Sequence, residues 1–251
     1  MQLTGKVFVI TGAESGIGKA AAVACAQAGA HIVAAGLNVD ALSRCVAELC
    51  DANGANVAIA VPTDVRIEAQ VEALFKKAQT HFGGIDGVLA NAGIIGTKSP
   101  AIDGGRKVWD EVMEVNLTGT YLTIMAAAKI LIAQGRGGSL MATGSSSALR
   151  TVPGLMAYAA SKGAIHTMMQ ALAVELGPYK IRVNTLVPGT TETDATRALP
   201  GRYLEEVAKT LPMLEVVQPE ELGRYVAFAF SDALPHLTGS LLKCDAGRTI
   251  A

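Results

Sequence analysis

The sequence predicts an α/β fold: a Rossmann-type doubly wound sheet of about seven parallel strands with helices on both faces, in a single domain spanning 1–251. Three observations predict it. Short β-branched runs alternate with longer Ala/Leu-rich stretches of helical period, the strand runs are apolar almost throughout, and a glycine-rich turn follows the first strand directly. Strands that alternate with helices are joined by right-handed crossovers into a parallel sheet. Parallel strands covered on both faces have no polar side, which accounts for their composition.

Taken in order, Val7, Phe8, Val9 and Ile10 make the first strand, and the glycine turn behind it opens a helix at 16–28. Strand 31–35 with helix 39–52 and strand 57–61 with helix 67–82 repeat the unit. Strand 87–90 leads into the longest helical pattern, 107–134, and strand 139–142 into helix 156–177. After strand 181–187 comes a connection punctuated by Pro188, Gly189, Pro200, Gly201, Pro212 and Pro219. Helix 219–230 and a last strand, 241–244, complete the chain. Long connections in compact domains tend to be functional, so a substrate-covering flap is expected at about 190–218, with a short helical pattern at 203–210. No linker or repeat divides the chain.

Composition narrows the function. Half of the 251 residues are hydrophobic and 17% are charged, which excludes a disordered chain. The 21 basic and 22 acidic residues are scattered and give a net charge of −1, so neither nucleic acid nor an anionic membrane is an expected partner. Cys25, Cys45, Cys50 and Cys244 form no CxxC pair, and the four histidines form no HxxxH or HExxH. Reduced thiols, a cytoplasmic location and no metal site are therefore expected. The first strand begins almost at the N-terminus, which a cleaved leader would not do, and the weakly polar stretch 20–38 is interrupted as helix, turn and strand are.

Three motifs carry chemistry. In Thr11-Gly12-Ala13-Glu14-Ser15-Gly16-Ile17-Gly18, between a strand and a helix, the glycines let the backbone turn tightly and approach a pyrophosphate seated on the helix N-terminus. Tyr158 and Lys162 stand four positions apart on a helix, so phenol and ammonium share a face. A nearby cation favours phenolate and makes the tyrosine usable as an acid/base near neutral pH. Ser145 follows strand 139–142, at the sheet edge where ligands bind in such folds.

With Asp64 after the third strand, Asn91-Ala92-Gly93 after the fourth, Asn116 in the long helix and Pro188-Gly189 with Thr193 after the sixth, the chain resembles a classical short-chain dehydrogenase/reductase over essentially its whole length. The resemblance implies an NAD(P)-dependent oxidoreductase that interconverts an alcohol and a ketone or aldehyde. Tyr158 would exchange the proton with the substrate oxygen, and Ser145 would hydrogen-bond that oxygen. Lys162 would contact the nicotinamide ribose and lower the Tyr158 pKa, while Asn116 would hold a water that passes protons between Lys162 and solvent, a role compatible with satisfying a kinked helix. Gly12, Ser15, Gly16, Ile17 and Gly18 would hold the cofactor phosphates, and Leu37, Asp64, Val65, Asn91, Ala92 and Gly93 would line the adenosine side. Pro188, Gly189, Thr191 and Thr193 would cradle the carboxamide.

Two departures stand out. Gly144 occupies a place where relatives often have a first serine, with no expected effect on Ser145. At the end of the second strand, Gly36 and Leu37 replace the Asp that selects NAD and the Arg that selects NADP. NAD is expected, with NADP as the alternative: the cations that meet a 2′-phosphate are missing, and Glu14 adds repulsion if it faces the ribose. Asn38 or Asp40 is a candidate for the ribose bond and Arg44 for a phosphate. An enoyl reductase and a non-catalytic dinucleotide sensor are the rival readings. The four-residue Tyr–Lys step favours carbonyl chemistry over the first, and the complete catalytic set favours an enzyme over the second. A substrate wall of Ile94, Ile95, Ser147, Leu149, Val152, Met156, Tyr203 and Met213 suggests a neutral ketone or alcohol, with Arg150 able to reach a polar group. The apolar girth of helices 107–134 and 156–177 predicts a homo-oligomer, a homotetramer as in the family.

Overall fold

The computed structural model describes residues 2–199 and 201–251; Pro200 of the expected flap lies outside them. Seven strands, β1 (Val7–Thr11), β2 (His31–Gly36), β3 (Ala58–Pro62), β4 (Gly87–Ala90), β5 (Gly138–Thr143), β6 (Ile181–Pro188) and β7 (Leu241–Cys244), form one sheet in the order β3-β2-β1-β4-β5-β6-β7. Every pairing is parallel. The order reverses between β1 and β4, and a crevice opens at such a reversal beyond the strands' carboxyl ends.

Successive strand residues face opposite sides, and each side has its own core. Phe8, Ile10 and Ile32 pack with α1 (Gly16–Gln27), α2 (Val39–Asn53) and α9 (Pro219–Phe230), and Phe8 stacks on Phe230 at 4.5 Å. Val7, Val9, Val33 and Val88 face α3 (Glu68–Phe82), α5 (Gly119–Gln134) and α6 (Met156–Leu176). The long helix begins earlier than its pattern suggests. It comprises α4 (Gly105–Met113), a π-helical turn (Glu114–Thr118) and α5, so the kink considered at Asn116 is a widened turn.

The segment from 190 to 218, expected as a flap, carries two short helices among its described residues, α7 (Asp194–Arg197) and α8 (Tyr203–Ala208). Only the second is foreshadowed by the helical pattern. A bridge between Thr191 and Val217 ties the two ends of this segment together, with Val217 N–H donating to Thr190 O at 2.9 Å.

Candidate active site

The ends of β1, β4, β5 and β6 and the start of α6 converge on the crevice. Asn91, directly after β4, fastens three strands there. Its backbone N–H donates to Thr11 Oγ1 at 2.9 Å, its amide donates to Thr11 O at 3.2 Å, and its Oδ1 accepts from Thr143 Oγ1 at 3.0 Å. Ala92 N–H also donates to Thr11 Oγ1. Thr11, one position before the glycine turn, thus fixes where β4 ends.

The Tyr158–Lys162 face of α6 lies over the end of β5. Lys162 is almost fully buried, and its Nζ donates to Thr143 O at 2.7 Å. Burial pushes its pKa down to about 8. The Tyr158 phenol is pushed up by burial, and its hydrogen bond with Ser145 pulls the other way. This corrects the expected lowering: the ammonium is committed to a carbonyl and stands 5.8 Å from the phenol ring centroid, so burial prevails. Ser145 Oγ accepts from Ser147 N–H at 3.0 Å, which leaves its own proton free for another oxygen.

The Asn116 side chain ties the π turn to two other segments. Its Oδ1 accepts from Ile94 N–H at 2.8 Å, and its amide donates to Ile94 O at 2.9 Å and Ser161 Oγ at 3.1 Å. Ser161 Oγ donates in turn to Tyr158 O, so the side chain joins the post-β4 loop to the turn of α6 that carries Tyr158. The kinked-helix reading of Asn116 is the one its side chain displays. A Cβ on Gly93 would come within 3.1 Å of Asn116 Oδ1 and 3.4 Å of Lys162 Nζ, which keeps this floor bare.

Sequence reasoning missed His166, two turns beyond Tyr158 on the same face of α6. The buried imidazole accepts the Ser145 backbone N–H at Nε2 over 3.4 Å. A Cβ on Gly144 would collide with this ring, so the missing side chain at 144 is what admits it. Burial, and secondarily the Lys162 charge, lower its pKa to about 4, leaving it neutral and able to accept. A histidine one turn beyond the lysine, paired with a glycine before Ser145, was the available signal.

The glycine-rich turn fits a dinucleotide. Gly12 and Gly16 have φ of +64° and +50°, and a Cβ on Gly18 would run into the Gly12 carbonyl. Ser15 makes no side-chain cap to α1, which leaves the first-turn N–H groups open for an anion. Ile17 packs against the core behind them. Thr193 approaches the turn, its Cγ2 being 3.2 Å from a Cβ placed on Gly16.

Other expected contacts are already occupied. The Asp64 carboxylate is clamped by Arg66, with Nε at 2.9 Å from Oδ1, and this bond holds its pKa below the ordinary carboxylate value. Val65 is buried against Gly119. Leu37 is 65% exposed, and its N–H donates to Glu14 Oε1 at 3.1 Å. Asn38 caps α2 by accepting from Ala41 N–H at 3.0 Å, which commits its side-chain oxygen to the helix start. Thr193 caps α7, and Thr191 Oγ1 donates to Gly189 O. A Cβ on Gly189 would press on Asp245 Cα at 2.7 Å, and Gly189 N–H donates to Cys244 O beside Pro188. Of the expected wall, Ile95 and Met156 line the cleft beside Tyr158, with Val108, Trp109 and Leu155 added. Arg150 does not reach it: Nη1 donates to Arg248 O at 2.9 Å.

Comparison with known proteins accords with this geometry. Residues 12–249 match the family model described as enoyl-(acyl carrier protein) reductase. An L-rhamnose 1-dehydrogenase (NAD(P)(+)) of Sphingomonas sp. (strain SKA58) is 35% identical, covering 98% of this chain and 96% of that protein. A D-threitol dehydrogenase of Mycolicibacterium smegmatis is 34% identical over 99% of this chain and 95% of its own length. The crystal structure of a 3-ketoacyl-(acyl-carrier-protein) reductase from Brucella melitensis complexed with NADH superposes with a TM-score of 0.93. It is 32% identical and covers 99% of this chain and 100% of that one.

Proposed function

This chain belongs to the short-chain dehydrogenase/reductase family, and from that premise we propose that it is an NAD(P)-dependent oxidoreductase interconverting a secondary alcohol and a ketone, with Tyr158 as general acid/base. One observation carries the reading: Tyr158 and Lys162 share a face of α6 over the carboxyl end of β5, where Lys162 Nζ donates to Thr143 O and Ser145 follows directly. Relatives named for dehydrogenation of L-rhamnose and D-threitol support chemistry at a CH–OH group. The nicotinamide supplies or takes the hydride when bound.

The remaining work falls to the chain. Ser145 turns its free proton to the substrate oxygen and fixes it beside Tyr158. Tyr158 gives that oxygen a proton in reduction and takes one in oxidation. A raised phenol pKa favours the proton-donating form, and Ser145 is the group that works against that rise when the proton moves the other way. Asn116 fixes the helix turn that holds Tyr158. Gly12, Ser15, Gly16, Ile17 and Gly18 take the pyrophosphate, and Leu37, Asp64, Val65 and Asn91-Ala92-Gly93 border the adenosine and its ribose. Pro188, Gly189, Thr191 and Thr193 stand at the carboxamide end, with the flap from 190 to 218 covering the substrate.

The description of the matched model names an enoyl reductase, but the four-residue Tyr158–Lys162 step and the alcohol dehydrogenases among the relatives favour the carbonyl. Steady oxidation of NADH or NADPH with a ketone, and none with an α,β-unsaturated thioester, is the expected result. The opposite pattern refutes the reading, and no turnover with any alcohol or ketone points to a sensor. We place the protein in the cytoplasm as a homotetramer, supported by apolar side chains left exposed on the outer faces of α5 and α6.

A further inference from the structure

Dinucleotide folds usually read the adenosine ribose with an acidic residue roughly 20 positions after the glycine turn, at the end of the second strand. Here that place is Gly36, without a side chain. The space is nevertheless filled by a carboxylate. A Cβ built on Gly36 would overlap Oε1, Oε2 and Cδ of Glu14, which reaches across from the glycine-rich turn. Glu14 Oε1 accepts the Leu37 N–H at 3.1 Å, which pins the carboxylate to the end of β2. Its Oε2 is buried and has no hydrogen-bond partner. A carboxylate has about four acceptor sites, and a buried oxygen with none filled is destabilising. Such an oxygen persists where a ligand donor completes it.

Neighbouring cations do not compete for it. Lys19 pairs with Glu48 at 2.7 Å, and Arg66 is held by Asp64. Arg44 is exposed on α2 and has no ion-pair partner among the described residues, so it is the cation to test for a 2′-phosphate.

Resting on the cofactor reading above, we propose that Glu14 reads the adenosine ribose from the glycine-rich turn in place of a carboxylate at the end of β2, and that it thereby selects NAD(H) over NADP(H). Ribose hydroxyls donate to the carboxylate, whereas a 2′-phosphate meets a like charge in a partly desolvated site. Gly36 is the necessary complement, because any side chain there would displace Glu14. The acidic reader has changed its position in the sequence while keeping its position in space.

Calorimetric titration with ADP-ribose and with its 2′-phosphate tests this without turnover. Wild type should bind ADP-ribose at least about tenfold more tightly, or about 1.4 kcal/mol. Glu14→Gln keeps the shape and the acceptor for Leu37 N–H, so a merely structural role would survive it; the preference should fall to near unity. Gly36→Asp alone should weaken both ligands, and Glu14→Ser with Gly36→Asp should restore ADP-ribose binding. The proposal is overturned if Glu14→Gln leaves the ratio unchanged, if Gly36→Asp alone tightens ADP-ribose, or if wild type prefers the 2′-phosphate and Arg44→Ala abolishes that preference. Failure of wild type to bind either ligand would overturn the dinucleotide reading and this proposal with it, whereas tight binding with an unchanged ratio overturns only the proposal.

Discussion

Tyr158, Lys162 and His166 follow one another at four-residue steps, so a single face of α6 presents a phenol, an ammonium and a neutral imidazole to the end of β5. On the proposed mechanism, Tyr158→Phe removes the exchangeable proton and leaves the glycine turn untouched. Turnover should fall by roughly 10²–10⁴-fold, with NADH binding measured by fluorescence titration nearly unchanged. His166 makes a separate prediction. Its pKa is lowered to about 4 from an ordinary 6.5, so the unfolded chain binds the proton first as pH falls. The stability it contributes is complete above pH 6.5 and is lost toward pH 4. Urea titrations should show lower stability at pH 5 than at pH 7 from this group, and His166→Leu should shrink that difference. The residues legible in the sequence were those set by short spacing or by place after a strand: Tyr158 and Lys162, Ser145, Asn91, and the glycines. Glu14 and His166 act on Gly36 and Gly144, 22 positions away in each case. Each pairs a side chain with a missing side chain, a relation that only the folded backbone defines.

Strands and long helices were legible because burial on both faces leaves the strands apolar and the helical period repeats over several turns. The flap helix α7 was not: four residues give no period, and its cause is local, the Thr193 and Thr196 hydroxyls capping one another's backbone N–H groups. The π turn was legible only as a possible kink, since its register is set by Asn116 fastening to Ile94 and Ser161. How α1 and α9 meet was also hidden, and there a glycine decides. A Cβ on Gly223 would strike the Ala20 carbonyl, a main-chain atom that cannot rotate away. Gly223→Ala should therefore push α9 off α1, at a cost of about 1–3 kcal/mol for overpacking. At roughly 2–4 °C per kcal/mol for a chain of this size, differential scanning fluorimetry should show a clear drop in Tm. Because α1 would hold the phosphate end on the proposed reading, KM for the cofactor should rise more than kcat falls. A variant with unchanged Tm would mean that the two helices slide without cost.

At the scale of the whole molecule, the sheet divides the apolar residues unevenly. The run Gly105–Gln134 is long and apolar enough by composition to cross a membrane, yet Ile124, Ala127 and Leu131 lie against the sheet. Leu117, Leu122, Met125 and Ile130 pack against the same core while remaining partly exposed. Tyr121 is 50% exposed and Ile132 37%, and Val174 on neighbouring α6 is 79% exposed. A chain that leaves such side chains in water on two helices of one layer gains by covering them with a second copy, at about 25 cal/mol per Å² of apolar area removed from solvent. A two-fold related mate places the same helices opposite themselves, so each exposed residue counts twice in one interface. The pair Tyr121→Glu and Val174→Glu puts like charges face to face across it and leaves the monomer's core and the crevice unaltered. Sedimentation at micromolar concentration should show wild type well above the 25.8 kDa of one chain and the double variant shifted to smaller species, with its far-UV circular dichroism unchanged. Since α5 begins at the π turn and α6 carries Tyr158, the dissociated form should also lose part of its kcat, through looser helices and not through a missing group. A wild type that sediments as a monomer would remove both expectations at once.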